Sequence, residues 1–153
     1  MLKEMEKLRA MSARRRPHRR VTGALALNKR GEVRSDGLSL IYFQNRLQIE
    51  WRARDVHPWD RDLPPARTAR LFAEQCLTDA DTAIQRLFAE FPEVDVIDFR
   101  VLDLKSQAGI LCGAIRRTEA MSVRAPSAGM RLKQLGVRYR LQNWRFEPLV
   151  EKP

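Results

Sequence analysis

Apolar and polar residues alternate along residues 38–52, and this spacing predicts β structure. Apolar side chains stand at every second position from Leu38 to Tyr42, and the alternation resumes from Leu47 to Trp51 after a short polar stretch. A period of two is the spacing of a half-buried strand. The segment therefore predicts either a pair of strands or one long bent strand.

Residues 65–90 follow a helical spacing, with apolar residues on one face and charged residues on the other. This pattern predicts the main helix of the protein. Asp62 precedes the segment and is the expected N-cap, because its carboxylate accepts hydrogen bonds from free backbone N–H groups. Thr78 and Asp81 have the spacing of an internal capping box, so a break into two helices stays open. Pro92 ends the helix.

The second half of the chain predicts two strands, a short helix and a last strand. Residues 94–104 are apolar on both faces, which is typical of a strand in the middle of a sheet. Residues 110–115 predict the next strand, antiparallel to it. Residues 127–135 predict a short helix closed by Gly136. Residues 137–142 predict a last strand, and its continuation to Phe146 stays open.

These elements predict an α+β fold. Apart from the strands at its front, the order of elements matches a ferredoxin-like (split βαβ) antiparallel sheet with two helices on one face. We expect a basic, mobile N-terminal extension at residues 1–37, with a loose edge strand near residues 21–27, a single α+β domain at 38–148 and a C-terminal tail at 149–153. The second sheet face is then solvated, paired with another copy, or used for binding.

Length and charge narrow the class of protein. The chain has 153 residues, is 44% hydrophobic and has no apolar stretch of membrane-spanning length. It also lacks the apolar core of a secretory signal, so we expect a soluble, cytoplasmic protein without a membrane span. The net charge of +10 is unevenly distributed: residues 1–34 carry +8, residues 35–115 carry −4 and residues 116–153 carry +6.

Arginine dominates the basic residues, at 23 of 29. Arginine binds phosphates and carboxylates through two parallel N–H groups, which favours an anionic partner. An Arg-rich coding bias is the alternative explanation of the ratio. The expected binding residues form an N-terminal group, which is Arg14, Arg15, Arg16, Arg19, Arg20, Lys29, Arg30 and Arg34, and a C-terminal group, which is Arg138, Arg140 and Arg145.

The N-terminal group predicts contact with nucleic-acid phosphates or with an acidic protein surface. Its alternative is a solvated leader that only aids solubility. The C-terminal group lies on alternate or nearby positions of the last predicted strand, where it either extends the binding surface or protects an edge strand from aggregation. Residues 109–115 contain no aromatic side chain, so base stacking in the style of an RNA-recognition motif is disfavoured and phosphate contacts are expected.

Catalytic chemistry has little support in the sequence. Asp95, Asp103 and Lys105 resemble the spacing of metal-dependent nucleases. Along one strand, however, the two carboxylates lie roughly 26 Å apart, which only a bend or a carboxylate from elsewhere, such as Glu50, overcomes. His57 lies near Asp60 and Asp62, and this loop is interpreted as a helix entrance, with Trp59 packed over the edge of the core. Cys76 and Cys112 are expected to be buried free thiols, and no metal site or cofactor is predicted.

The sequence therefore favours a non-catalytic binding module that contacts nucleic-acid phosphates within a larger assembly. The alternative is an interaction or scaffold subunit that self-associates through its sheet face, as a homo-oligomer. A metal-dependent nuclease is a distant third hypothesis.

Overall fold

The structure is a computed structural model that describes the backbone of residues 32–35 and all atoms of residues 38–150. The predicted strand at 21–27 and the N-terminal arginines up to Arg30 lie outside these residues. The strands are β1 (Glu32–Ser35), β2 (Leu38–Phe43), β3 (Arg46–Arg52), β4 (Val96–Leu102), β5 (Gly109–Arg116), β6 (Leu141–Gln142) and β7 (Arg145–Phe146). The helices are α1 (Pro65–Glu90), α2 (Arg117–Ser122) and α3 (Ala128–Gln134), and Pro58–Asp60 forms a 3-10 helix.

Five strands form one sheet in the order β1-β2-β3-β4-β5. The β2–β3 hairpin turns at Gln44, whose φ is 55°, so residues 38–52 form a pair of strands and not one bent strand. β3 and β4 are parallel neighbours joined by α1, and the other adjacent pairs are antiparallel. A long crossover through a helix is what parallel pairing requires.

The predicted α+β class is confirmed, and the antiparallel arrangement needs correction. The sheet is mixed, because Leu47 of β3 lies directly beside Ile97 of β4 in a parallel ladder. In a split βαβ unit another strand would separate these two. Alternation is the same in parallel and antiparallel strands, so the sequence pattern does not identify the partner. β1 supplies an additional N-terminal strand, and it lies within the residues predicted as the extension.

α1 is one uninterrupted helix of 26 residues, so the alternative of a break at Thr78 is wrong. Asp62 is not its N-cap. Pro64 holds that position, and its carbonyl accepts hydrogen bonds from the backbone N–H groups of Arg67 and Thr68 at 2.9 and 3.0 Å. Pro65 occupies the first helical position, where the missing N–H of proline leaves no hydrogen bond unmade.

One face of the sheet packs against α1. Leu40, Ile49 and Phe99 point to this face, and alanines and an isoleucine of α1, including Ala80 and Ile84, are fully buried in the same cluster. Phe99 also stacks on Trp51, with ring centroids 5.8 Å apart. β4 lies between β3 and β5, which confirms the prediction of a central strand.

The opposite face of the sheet, called the open face here, has no fully buried side chain on β2, β3 or β4. Two cross-strand ion pairs lie on it. Arg46 donates to Asp98 at 2.6 Å, and the guanidinium of Arg100 lies 3.9 Å from a carboxylate oxygen of Glu50. The open face carries Ser39, Ile41, Phe43, Arg46, Gln48, Glu50, Arg52, Val96, Asp98, Arg100 and Leu102.

The short helix near residue 130 is present as α3. The Ser127 hydroxyl accepts a hydrogen bond from the backbone N–H of Met130, and Gly136 follows the helix with a φ of 83°. The last predicted strand is shorter than expected. Arg138 makes only an isolated antiparallel bridge to Cys112, and the chain then turns into the β6–β7 hairpin.

Candidate functional site

The C-terminal basic residues are held at the edge of the sheet beside β5. Arg138 and Cys112 exchange two backbone hydrogen bonds, of 2.8 and 3.1 Å. Val137 and Tyr139 are buried, so alternation turns the side chains of Arg138 and Arg140 to solvent. Both arginines are exposed and make no ion pair with the described part of the chain.

The β6–β7 hairpin brings Arg145 to the same surface. Gln142 and Arg145 are directly opposite each other and so project to the same side. The carbonyl of Arg140 accepts a hydrogen bond from the Glu147 N–H at 2.9 Å, which continues the pairing by one step. Arg140, two residues before Gln142, therefore shares this outward side with Arg145. We call Arg138, Arg140 and Arg145 the basic edge.

The structure describes only the backbone of Arg34 among the predicted N-terminal binding residues. Arg34 is opposite Ser39 in the β1–β2 ladder, which places it at a register position of the open face. The remaining members, Arg14, Arg15, Arg16, Arg19, Arg20, Lys29 and Arg30, lie outside the described residues.

Other arginines have structural contacts that account for part of the Arg content. The Arg117 guanidinium donates to the carbonyls of Phe88, Phe91 and Val94 at 2.7 to 2.8 Å and lies 4.8 Å from the centroid of the Phe88 ring. Arg131 pairs with Asp81 at 2.8 Å and also donates to two backbone carbonyls. These guanidiniums satisfy the free carbonyls at helix ends, and they are unavailable to a phosphate.

A cleft opens where β4 ends, between the start of α1 and the β6–β7 hairpin. Its volume is about 480 Å³. The aromatic residues of its wall are Phe72, Trp144 and Phe146, and its aliphatic residues are Val56, Leu63, Pro65, Ala69 and Leu104. Phe72 and Phe146 meet edge to face, with centroids 6.4 Å apart. The charged residues of the wall are Asp55, Arg61, Asp103, Lys105 and Arg145.

Three of the five charges in the cleft are already engaged. Arg61 pairs with Asp55 at 3.1 Å. Asp103 accepts hydrogen bonds from the backbone N–H and the hydroxyl of Ser106, at 3.2 and 3.0 Å, and so closes the turn after β4. Lys105 and Arg145 are exposed and make no ion pair with any described residue. Because Asp103 stays negatively charged, the five charges of the cleft sum to +1.

The residues of the nuclease hypothesis are not brought together. Asp95 lies before β4, where it accepts a hydrogen bond from the Asn45 side chain at 2.9 Å, and Asp103 lies beyond the other end of the strand. Glu50 is on the open face with Arg100. Within residues 38–150, no group of three or more His, Cys, Asp or Glu side chains is placed to hold a metal ion.

The His57 loop forms a turn of 3-10 helix. The Nδ1 atom of His57 accepts a hydrogen bond from the Trp59 N–H at 3.2 Å, which makes His57 the N-cap. The expected packing of Trp59 over the core is wrong, because 84% of this residue is exposed. Asp60 contributes its carbonyl, which accepts from the Leu63 N–H at 3.3 Å. The loop therefore acts as the entrance to α1.

Both cysteines are free, as expected. Cys76 is buried on α1, and desolvation raises the pKa of its thiol to about 12, with smaller contributions from Asp79 and Asp103. A thiol with so high a pKa is a poor nucleophile at neutral pH. Cys112 is only half-buried, so the prediction of a buried thiol is wrong for this residue.

No family model matches the chain, and neither the curated proteins nor the solved structures give a significant match. None of the described helices has the length and apolarity needed to cross a membrane. Sequence reasoning identified Arg145 but missed its neighbours in the cleft, Trp144, Arg61 and Phe72. The only sequence signal was the pair Asn143 and Trp144 between Leu141 and Phe146, and this pair lacks the glycine that usually marks a hairpin turn.

Proposed function

We propose that this protein is a non-catalytic binding module that contacts the phosphates of a nucleic acid within a larger assembly. The Arg-rich N-terminal group and the basic edge supply the contacts. Arginine suits this function because its guanidinium binds phosphate through two N–H groups and keeps its charge at all physiological pH values.

The basic edge is the observation that carries the proposal. Arg117 and Arg131 are occupied by carbonyls and carboxylates, whereas Arg138, Arg140 and Arg145 are exposed and have no ion pair in the described region. Holding three like charges on one surface is unfavourable unless an anion or the solvent compensates them. Glu147 is opposite Arg140 in the continued hairpin register, and it makes no ion pair with these arginines.

The experiment compares two sets of substitutions in the full chain. One variant replaces Arg14, Arg15, Arg16, Arg19 and Arg20 with Gln, and a second replaces the basic edge with Gln. Binding of a labelled single strand and a labelled duplex is followed by fluorescence anisotropy at several salt concentrations. For each phosphate contact removed, we expect the slope of log affinity against log salt to fall by about 0.7 for a single strand and about 0.9 for a duplex.

A matched control separates site-specific contacts from net charge. Arg67, Arg86 and Arg124 are exposed arginines outside the basic edge and outside the open face, and replacing them with Gln removes the same charge as replacing the basic edge. The proposal requires the control to bind more tightly than the basic-edge variant. Equal losses in both would show that only the net charge matters. If the unaltered chain binds no nucleic acid at 50 mM salt but binds an acidic protein, the partner is a protein surface.

Self-association through the open face is the second candidate, favoured by the exposure of Phe43 at 67% and by the partly exposed Val96 and Leu102. The ion pairs Arg46–Asp98 and Arg100–Glu50 satisfy four charges of this face within one chain and leave Arg52 exposed, so the apolar margin would have to carry the contact. Light scattering tests the candidate directly. A dimer that a Phe43→Lys variant converts to a monomer supports it, and a monomeric unaltered chain overturns it.

A further inference from the structure

Trp144 adopts a backbone conformation that tryptophan rarely tolerates. It occupies the second central position of the two-residue β6–β7 turn with a φ of 62°, and Asn143 before it has a φ of 50°. Positive φ at both positions is the pattern of a type I′ turn, in which glycine is usual at the second. A bulky residue there costs energy, and such conformations concentrate at sites where the side chain has a binding role.

The indole ring of Trp144 is supported from one side and lines the cleft. The Arg70 guanidinium carbon lies 4.9 Å from the ring centroid, and Arg70 is itself held by Glu74 at 3.0 Å. Trp144 remains 42% exposed although it contributes to the cleft wall. A ring that is fixed by a cation and still exposed is a platform on which a planar group stacks.

The charges of the cleft lie next to this platform. Arg145 is adjacent to Trp144 in the chain, and Lys105 lines the same cleft from the turn after β4. Asp55 is paired with Arg61, and Asp103 keeps its negative charge in its hydrogen bonds with Ser106. Lys105 and Arg145 therefore leave the cleft with one net positive charge, which favours an anionic ligand. A ligand that fits has a flat apolar ring and an anionic group a few ångströms away.

We propose that this cleft binds one nucleotide unit, with its base stacked on Trp144 and its phosphate at Lys105 and Arg145. The proposal rests on the nucleic-acid function proposed above and names the place where a base is held. Its volume of about 480 Å³ is within the range of about 300 to 1,000 Å³ that small-molecule sites occupy. β5 has no aromatic side chain on which a base could stack, and Trp144 of the hairpin provides one. Proteins that bind single-stranded nucleic acids combine such an aromatic side chain with a positively charged groove.

The test uses the full chain and Trp144→Gly. Glycine relieves the backbone strain of the turn, so the variant should keep or raise its urea midpoint. A lower midpoint would show that Trp144 has a structural role. Binding of a labelled single-stranded 12-mer tests whether the cleft holds a nucleotide of a nucleic acid. Quenching of tryptophan fluorescence by adenosine monophosphate tests whether it holds a free nucleotide. We expect Trp144→Gly to weaken binding of the 12-mer roughly 5- to 150-fold with no drop in the urea midpoint.

Three further variants sharpen the result. Trp144→Phe keeps an aromatic ring and should retain most of the affinity. Lys105→Gln should reduce the slope of log affinity against log salt by about 0.7. Trp59→Ala removes a tryptophan that lies outside the cleft and is more exposed than Trp144, and it should leave the affinity unchanged.

The outcomes distinguish the cleft from the general function. If the 12-mer binds and Trp144→Gly binds it equally well, the cleft proposal is overturned and the nucleic-acid function stands. If the 12-mer does not bind but adenosine monophosphate quenches the unaltered chain and not Trp144→Gly, the function falls and the cleft stands as a site for a free nucleotide. If neither ligand binds, both fall. Trp144-dependent binding of a glutamate-rich peptide in preference to either nucleotide ligand also overturns the cleft proposal.

Discussion

Arg54 holds the carboxylate of Asp79 through two hydrogen bonds, with donor–acceptor distances of 2.7 and 3.1 Å. Asp79 lies on the buried side of α1 and is only 7% exposed, whereas Arg54 follows β3 and is half exposed. The bond to Asp79 raises the pKa of Arg54. The pair therefore fastens the end of β3 to the helix that crosses the sheet.

Removing Arg54 should destabilise the protein more than removing Arg61, which belongs to a surface ion pair. Arg54→Ala leaves the Asp79 carboxylate buried without its donor, and we expect the free energy of unfolding to fall by about 1 to 3 kcal/mol. Arg61→Ala is the control, because both partners of the Arg61–Asp55 pair are about half exposed, and its cost should stay below about 1 kcal/mol. Urea denaturation measures both, and equal losses would contradict the account.

Arg117 is expected to be the most sensitive of the charged residues. Its guanidinium donates to three carbonyls between the end of α1 and β4, and Arg117→Gln deprives those of Phe88 and Val94 of this donor. The Phe91 carbonyl keeps a hydrogen bond from the Val94 N–H at 3.0 Å. We predict a loss of about 2 to 4 kcal/mol in the free energy of unfolding. Arg116→Gln, next to it and exposed, should change stability by less than about 0.5 kcal/mol. If both variants lost the same free energy of unfolding, the contacts of the Arg117 guanidinium would not be the cause of the loss.

Stability should fall at high pH because of Cys76. Its thiol titrates near 9.0 when exposed and at about 12 in the folded protein, so the unfolded chain loses this proton first. The stability that the buried, protonated thiol contributes is fully present below pH 9. It diminishes by about 1.4 kcal/mol per pH unit as the pH rises toward 12. Burial also raises the pKa of Tyr139, so the comparison needs a Cys76→Ala variant that retains the tyrosine.

The measurement is the free energy of unfolding of both proteins at pH 8 and at pH 10.5. From pH 8 to 10.5 the unaltered chain should lose about 1 to 2 kcal/mol more than Cys76→Ala does. Parallel changes in the two proteins would mean that burial of the thiol does not affect the stability.

Gly136 should resist replacement for conformational reasons alone. Its φ is 83°, and an added Cβ would meet no atom within 4 Å. Gly136→Ala therefore tests backbone strain without a steric clash, and we expect a loss of about 1 to 2 kcal/mol in the free energy of unfolding. Gly136→Asn should recover part of this loss, because asparagine tolerates the left-handed conformation. An alanine variant as stable as the unaltered chain would contradict this role of the glycine.

Local elements of this fold can be predicted from the sequence because their causes are local. The apolar spacing of α1, the alternation of β2 and β3 and the capping of α3 by Ser127 each depend on residues a few positions apart. The pairing of β3 with β4 does not, since 43 residues separate the two strands and their alternation suits several partners. The mixed strand order of the sheet therefore could be established only from the structure.

The candidate site could be predicted only in part, for the same reason. Arg138 and Arg140 are recognisable because they alternate with buried residues. The cleft assembles residues from the loop after β3, from α1, from the turn after β4 and from the last hairpin, which no local pattern links. The sequence did not indicate Trp144 because its turn lacks the glycine that marks a hairpin. In the structure Trp144 has a positive φ at the position where glycine is usual, and this identifies it as unusual.

Phosphate contact is the central claim, and the salt dependence of binding by the full chain tests it most directly. The affinity for a labelled single strand and a labelled duplex is measured at 50 and 200 mM salt. If six or more phosphates are engaged, the affinity should fall roughly 10³-fold or more for the duplex and roughly 300-fold or more for the single strand between the two conditions. No binding at 50 mM salt, or an affinity that is the same at both concentrations, would contradict the account.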